Sequence, residues 1–186
     1  MGQVLVNGDG DIWVFGYGSL MWNPGFPYEE VRPAHLHGYH RAFCLYSEHY
    51  RGTPKRRGLV LGLDRGGSCR GRAFRVAAPA AAAAMDYLIK REMLGHEVDV
   101  YKLRWLRVAL GNAGQAVQAA CFVVNPAHEH YAGKLPLEEI AAIIAGASGQ
   151  SGTNREYLAN TIAHLDELGI ADGPLHTLQQ LVSMTP

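Results

Sequence analysis

Short apolar runs punctuated by glycine and by charged loops dominate the first two thirds of the chain. Residues 12–15 and 59–63 are rich in β-formers and bounded by glycine, which predicts strands rather than helices. Residues 34–47, 71–76, 102–110 and 116–124 extend the set. Strand segments in this number, with few helices among them, predict a largely antiparallel sheet or barrel, because parallel strands demand repeated long crossovers. Helical spacing is confined to the middle and the end. Pro79 suits a first helical position before a helix over 80–93, with Gly95 as its stop. Asn154 is the expected N-cap of a helix over 154–168, with Leu158, Thr161, Ile162 and Leu165 on one face and Gly169 beyond. Pro174 opens a last short helix carrying Leu175, Leu178, Leu181 and Val182. The prediction is an α+β fold in one domain over residues 1–186.

Composition narrows the class. A chain of 186 residues is long enough to bury a core and short enough for one domain. With 48% hydrophobic and 18% charged residues it does not read as disordered, and no apolar run approaches the ~18 residues a membrane span requires. Lys plus Arg and Asp plus Glu number 17 each, so nothing global attracts nucleic acid or a membrane surface, and a small-molecule partner is expected. Cys44, Cys69 and Cys121 fit neither a disulfide framework nor a zinc site, which points to a reducing compartment. Residues 1–11 lack the basic start and apolar core of a signal peptide, and Gly2 has Val6 where myristoylation needs Ser or Thr; the cytoplasm is the expected location.

The turn after the first strand, Gly16-Tyr17-Gly18-Ser19-Leu20, carries glycines two apart. Such a turn can adopt positive φ and aim successive N–H groups into one concavity, an anion nest; the bland alternative is a strand-end turn. It is not a dinucleotide fingerprint, since Met21 stands at the third glycine position, and no Gly-Lys-Ser/Thr follows to make a phosphate loop. Glu92 shares a helical face with Met85, Leu88 and Ile89, while Lys90 and Arg91 lie off it. A carboxylate on an apolar face is either paired structurally or kept for chemistry with a raised pKa. Cys69, in GGSCRG, reads as a small residue in a hairpin turn. His128 and His130 have no further ligands at zinc-like spacing and read as surface histidines, so no metal is expected. The basic stretch 51–57 reads as a solvated loop in which Arg51 is a candidate carboxylate anchor.

Longer motifs add a resemblance. WVFGYGSLMWNPGF (13–26), GYHRAFCLYSEHYRGTP (38–54), GLVLGLDRGGSCRGRAFRV (58–76), YLIKREM (87–93), HYAG (130–133) and GTNREYLANTIAHLDELGI (152–170) together resemble the ChaC family of γ-glutamylcyclotransferases. The resemblance implies a mixed, largely antiparallel small β-barrel with peripheral helices, and cleavage of glutathione to 5-oxoproline and cysteinylglycine without a cofactor. It implies that Glu92, in the Arg-Glu pair, is the catalytic carboxylate and that Tyr17, Gly18, Ser19 and Leu20 form the substrate-binding turn. Tyr101 and Tyr157 match tyrosines that line the γ-glutamyl site in related enzymes. Two other readings of the same motifs are a cyclotransferase for other γ-glutamyl amino acids or amines, and a non-catalytic γ-glutamyl-peptide binding protein.

Overall fold

The computed structural model describes residues 10–93, 99–111 and 115–185. Five strands close a barrel in the order β1-β3-β2-β4-β5: β1 (Ile12–Gly16), β2 (Glu30–Ser47), β3 (Gly58–Val76), β4 (Tyr101–Leu110) and β5 (Gln115–Val124). The pairings β1–β3, β2–β4 and β4–β5 are antiparallel, and the barrel closes through a parallel pairing of β1 with β5, Trp13 opposite Ala119 and Val14 opposite Ala120. Four α-helices, α1 (Ala78–Met93), α2 (Leu137–Gly146), α3 (Asn154–Glu167) and α4 (Gly173–Met184), a 3-10 turn (Ser19–Met21) and a small hairpin of β6 (Ser148–Gly149) and β7 (Gly152–Thr153) complete the described elements. The expected α+β barrel is the observed fold. No helix among the described residues is long and apolar enough to cross a membrane.

Several local expectations are corrected. The segments 59–63 and 71–76 belong to one strand, because Gly66 (φ 98°) and Gly67 (φ 64°) bend β3 without ending it. Cys69 therefore lies in a strand and is buried rather than in a hairpin turn. His130 is also buried, at 8% exposure, not a surface histidine. The cap of α3 is Thr153, whose hydroxyl accepts from Glu156 N while the Glu156 carboxylate accepts from Thr153 N, a reciprocal capping box. Asn154 is instead fully buried, its amide donating to Leu59 O (2.7 Å) and its carbonyl accepting from Leu59 N (2.6 Å), as a paired strand would. Helix α2 was not foreseen: its apolar residues run almost uninterrupted, so periodicity gave no signal. Gly95 lies outside the described residues.

The described residues group into two compact units. One comprises those of Met1–Arg41 and Leu63–Asn125, the other those of Ala42–Gly62 and Pro126–Pro186. In the first, Ile12, Val14, Leu20, Phe26, Phe74, Val76, Ala120 and Phe122 form an apolar cluster with Ala81, Ala84, Met85 and Leu88 of α1. Asp11 starts that helix: its carboxylate accepts from Ala78 N (2.9 Å) and pairs with Arg75 (2.6 Å), and the Arg75 hydrogen bond holds its pKa below the usual value. In the second unit Leu158, Ile162 and Leu165 of α3 are buried, as are Leu175, Leu178 and Val182 of α4. Arg155 joins the second unit's helices through carbonyls, donating to Ala145, Val182 and Thr185.

Candidate functional site

Strand β1 is buried throughout and delivers its last residue, Gly16, into a tight corner. A Cβ at Gly16 would sit 3.2 Å from Leu20 Cβ and 3.3 Å from a Phe74 ring carbon, and one at Gly71 would sit 2.2 Å from Gly16 O. A side chain at Gly71 would collide with the backbone of β1, and one at Gly16 would press on Leu20 and Phe74. Beyond it, Ser19–Met21 forms one turn of 3-10 helix, with Met21 N donating to Gly18 O (2.9 Å) and Asn23 N to Ser19 O (2.8 Å). Gly18 has φ −133° and ψ −133°, and neither Gly16 nor Gly18 adopts positive φ, so the turn is not the positive-φ nest that its glycine spacing suggested. A 3-10 turn still leaves its leading N–H groups outside its own ladder.

Three arginines clasp this turn by its carbonyls. Arg41, buried on β2, donates through Nε to Tyr17 O (2.5 Å) and through Nη2 to Arg70 O (2.7 Å). Arg72 on β3 donates to Met21 O (2.9 Å), and Arg91 on α1 donates to Asn23 O (2.8 Å). Sequence reasoning missed all three roles, because a guanidinium reaching a carbonyl far away in the chain leaves no local pattern.

Glu92 stands on α1 one turn past Leu88, on the face that carries Met85 and Leu88 into the apolar cluster. Its side chain is 18% exposed, and Arg91 Nε lies 3.2 Å from its Oε1. Burial raises its pKa above the ordinary carboxylate value, and the Arg91 charge opposes that rise without cancelling it. The C-terminal end of a helix is also the wrong end for a negative charge. Tyr101 on β4 is half-buried and falls in the same unit, whereas Leu103 and Trp105, two and four residues on, pack with it against the cluster that holds α1 and Leu20. Leu20 of the turn, Tyr101 and the face of α1 that leads to Glu92 thus share one core.

Arg51 and Tyr157 belong to the second unit. The Arg51 guanidinium lies 5.0 Å from the centroid of the Tyr157 ring, and its Nη1 donates to Ser151 O (2.5 Å). Tyr157 in turn meets Phe43 edge-on, centroids 5.7 Å apart. The loop holding Arg51 is fixed by close backbone approach, since a Cβ on Gly52 would lie 2.1 Å from Gly58 N. The neighbouring residues 53–57 are exposed, as a solvated loop should be. Among the described residues no group of three or more His, Cys, Asp or Glu is placed to hold a metal ion.

Residues 12–185 match the model of the family described as ChaC-like protein. The chain is 38% identical over 170 residues to the glutathione-specific gamma-glutamylcyclotransferase of Escherichia coli K12, a match covering 91% of this chain and 72% of that protein. It is 33% identical over 167 residues to gamma-glutamylcyclotransferase 2-3 of Arabidopsis thaliana, covering 87% and 83%. The crystal structure of a yeast gamma-glutamyl cyclotransferase specific to glutathione superposes with a TM-score of 0.82 at 24% identity, covering 94% of this chain and 96% of that one.

Proposed function

The chain belongs to the ChaC-like protein family, and from that premise we propose how it works as a glutathione-specific γ-glutamylcyclotransferase, with Glu92 carrying the proton and the turn Tyr17 to Leu20 holding the γ-glutamyl group. The enzyme cleaves glutathione to 5-oxoproline and cysteinylglycine. The substrate's own α-amine attacks its γ-carbonyl, a five-membered lactam closes, and the bond to the cysteinyl nitrogen breaks. Both reacting groups sit in one molecule, so holding the folded conformer supplies much of the acceleration.

The observation that carries the assignment is the half-hidden carboxyl group of Glu92 at the end of an apolar stripe. The α-amine arrives as an ammonium of pKa about 8, and an ordinary glutamate of about 4.3 is mismatched to it by roughly 3.5 units, about 5 kcal/mol. The raised pKa of Glu92 narrows that mismatch. Having taken the amine's proton, the same carboxyl group returns it to the departing nitrogen. The N–H groups of Gly18, Ser19 and Leu20 are assigned to the oxyanion or to the substrate carboxylate, where one well-placed donor is worth roughly 3 kcal/mol. Tyr101 is assigned to the γ-glutamyl wall. In the second unit, Arg51 stacked on Tyr157 is assigned to a substrate carboxylate, a use for which a guanidinium fork is suited. The same proposal limits the partners to a small molecule, without nucleic acid or membrane, and places the protein in the cytoplasm, with which three buried cysteines outside any disulfide are consistent.

The test is to incubate chelator-treated protein with glutathione and, separately, with a γ-glutamyl amino acid, and to measure 5-oxoproline from each. Release from glutathione alone supports the specificity, release from both broadens it, and binding without product reduces the chain to a binding protein. Glu92→Gln is expected to bind glutathione and to lose most turnover; a variant that releases 5-oxoproline at the parent rate would sink the base assignment.

A further inference from the structure

We propose that Arg91 is a positioning residue of this reaction, its guanidinium locking the Ser19 turn to the end of α1 and holding the Glu92 carboxyl group in register with that turn. The inference rests on the assignment of Glu92 as base and deepens it.

The guanidinium uses all of its nitrogens. Nη1 donates to Asn23 O (2.8 Å) and Tyr87 Oη (3.1 Å) and lies 3.4 Å from Pro24 O. Nη2 donates to Ser19 Oγ (2.9 Å), and Nε lies 3.2 Å from Glu92 Oε1. Neighbouring residues on a helix point about 100° apart and do not ordinarily face each other. Arg91 meets Glu92 because its far end is tied to the turn, so that its stem crosses the carboxyl group on the way. Tyr87 reinforces this arrangement by resting on Gly25, where a Cβ would fall 2.1 Å from the phenol oxygen and φ is +74°.

Two chemical consequences follow. Ser19 Oγ accepts from Arg91, which leaves the hydroxyl proton for another acceptor, such as an anionic group of the substrate. The fixed cation also sets a limit on how far burial raises the proton affinity of Glu92. Of the other charged groups around α1, Asp86 and Lys90 on the helix itself are exposed, as are Lys102 and Arg104 on β4, the strand that packs on it. Among the described residues, Arg91 is the charge that acts on Glu92. Lysine cannot replace it, since an ammonium is a point donor and cannot span a hydroxyl, two loop carbonyls and a carboxylate.

A structural role alone, a cation at a helix end that ties down a loop, would change stability and nothing else. The experiment therefore measures kcat and KM for glutathione against pH for Arg91→Gln, Arg91→Lys and Arg91→Ala, with melting temperatures, and with Glu92→Gln alongside. Arg91→Gln is expected to lower kcat about 100-fold with a much smaller change in KM. The acid limb of its pH profile is expected to move up by about one unit, since Glu92 loses its stabilising cation. Arg91→Lys is expected to remain slow although it keeps the charge, and methylguanidinium, but not methylammonium, is expected to restore part of the Arg91→Ala activity. An Arg91→Gln or Arg91→Lys enzyme with the parent kcat and acid limb, changed only in melting temperature, would overturn the proposal. The two levels separate cleanly: normal turnover by Glu92→Gln defeats the base assignment, whereas an inactive Glu92→Gln beside unaltered Arg91 variants defeats only the role of Arg91.

Discussion

Glu92 stands in the last turn of α1 and Glu156 in the first turn of α3, and the two surroundings pull their proton affinities in opposite directions. Glu156 accepts from Thr153 N (3.0 Å), with Arg51 contributing from a distance, and its pKa is lowered. Glu92 is half-buried beside one cation, at the helix end that disfavours a negative charge, and its pKa is raised. The first carboxylate is consumed by structure. The second is held short of full compensation, the condition a base needs if it is to take a proton and give it back. The difference between the two glutamates is one of surroundings and not of residue type: Glu92 is incompletely satisfied on an apolar face, which is what the proposed role as base requires.

The comparison breaks most visibly at Glu92. Glu92→Gln is expected to cost about 10²- to 10⁴-fold in kcat. A folded-state pKa above the unfolded one gives stability that is present below the unfolded pKa and lost as pH rises through the folded one. The variant should therefore melt higher than the parent above neutrality, and the gain should vanish in acid; thermal melts across pH check both statements. Next in size is Asn154→Leu, which leaves Leu59 N and O buried without their partners and should cost about 2 to 4 kcal/mol in urea unfolding. If the variant folds, the acid limb of its pH–rate profile should match the parent, since Glu92 is untouched. Thr153→Ala removes the cap of α3 and should cost about 1 kcal/mol by the same measurement. The smallest effect belongs to Glu156→Gln. A lowered folded-state pKa gives stability that is present above the unfolded pKa and lost as pH falls through the folded one, so the variant should flatten the acid side of the stability curve and slightly lower the melting temperature near neutrality.

The strands were legible in the sequence as short β-former runs bounded by glycine, and the helical phase of Glu92 as a periodic pattern, because both are read over a short window. Glycine spacing drew attention to the turn and the family resemblance strengthened the reading, yet the means of holding it was invisible: Arg41, Arg72 and Arg91 act on carbonyls of residues that only the fold brings close. Asn154 misled for a different reason. It is a good capping residue beside a better-placed one, and the spacing of Thr153 and Glu156 was the signal that named the true cap. Gly66 and Gly67 resemble a strand break because glycine signals both turns and bends, and only the pairing of the flanking residues decides between them.

The parallel pairing of β1 with β5 sets an order of events for the newborn chain. Trp13 and Val14 emerge from the ribosome roughly a hundred residues before Ala119 and Ala120, which flank them in the finished barrel. With synthesis at about 5 to 20 residues per second, one edge of the strand that leads into the turn over residues 16–20 stays open for several seconds. Over that interval the chain holds an apolar strand with unsatisfied backbone groups, a target for chaperones and for mispairing. Closure of this enzyme's barrel thus depends on one of the last strands made.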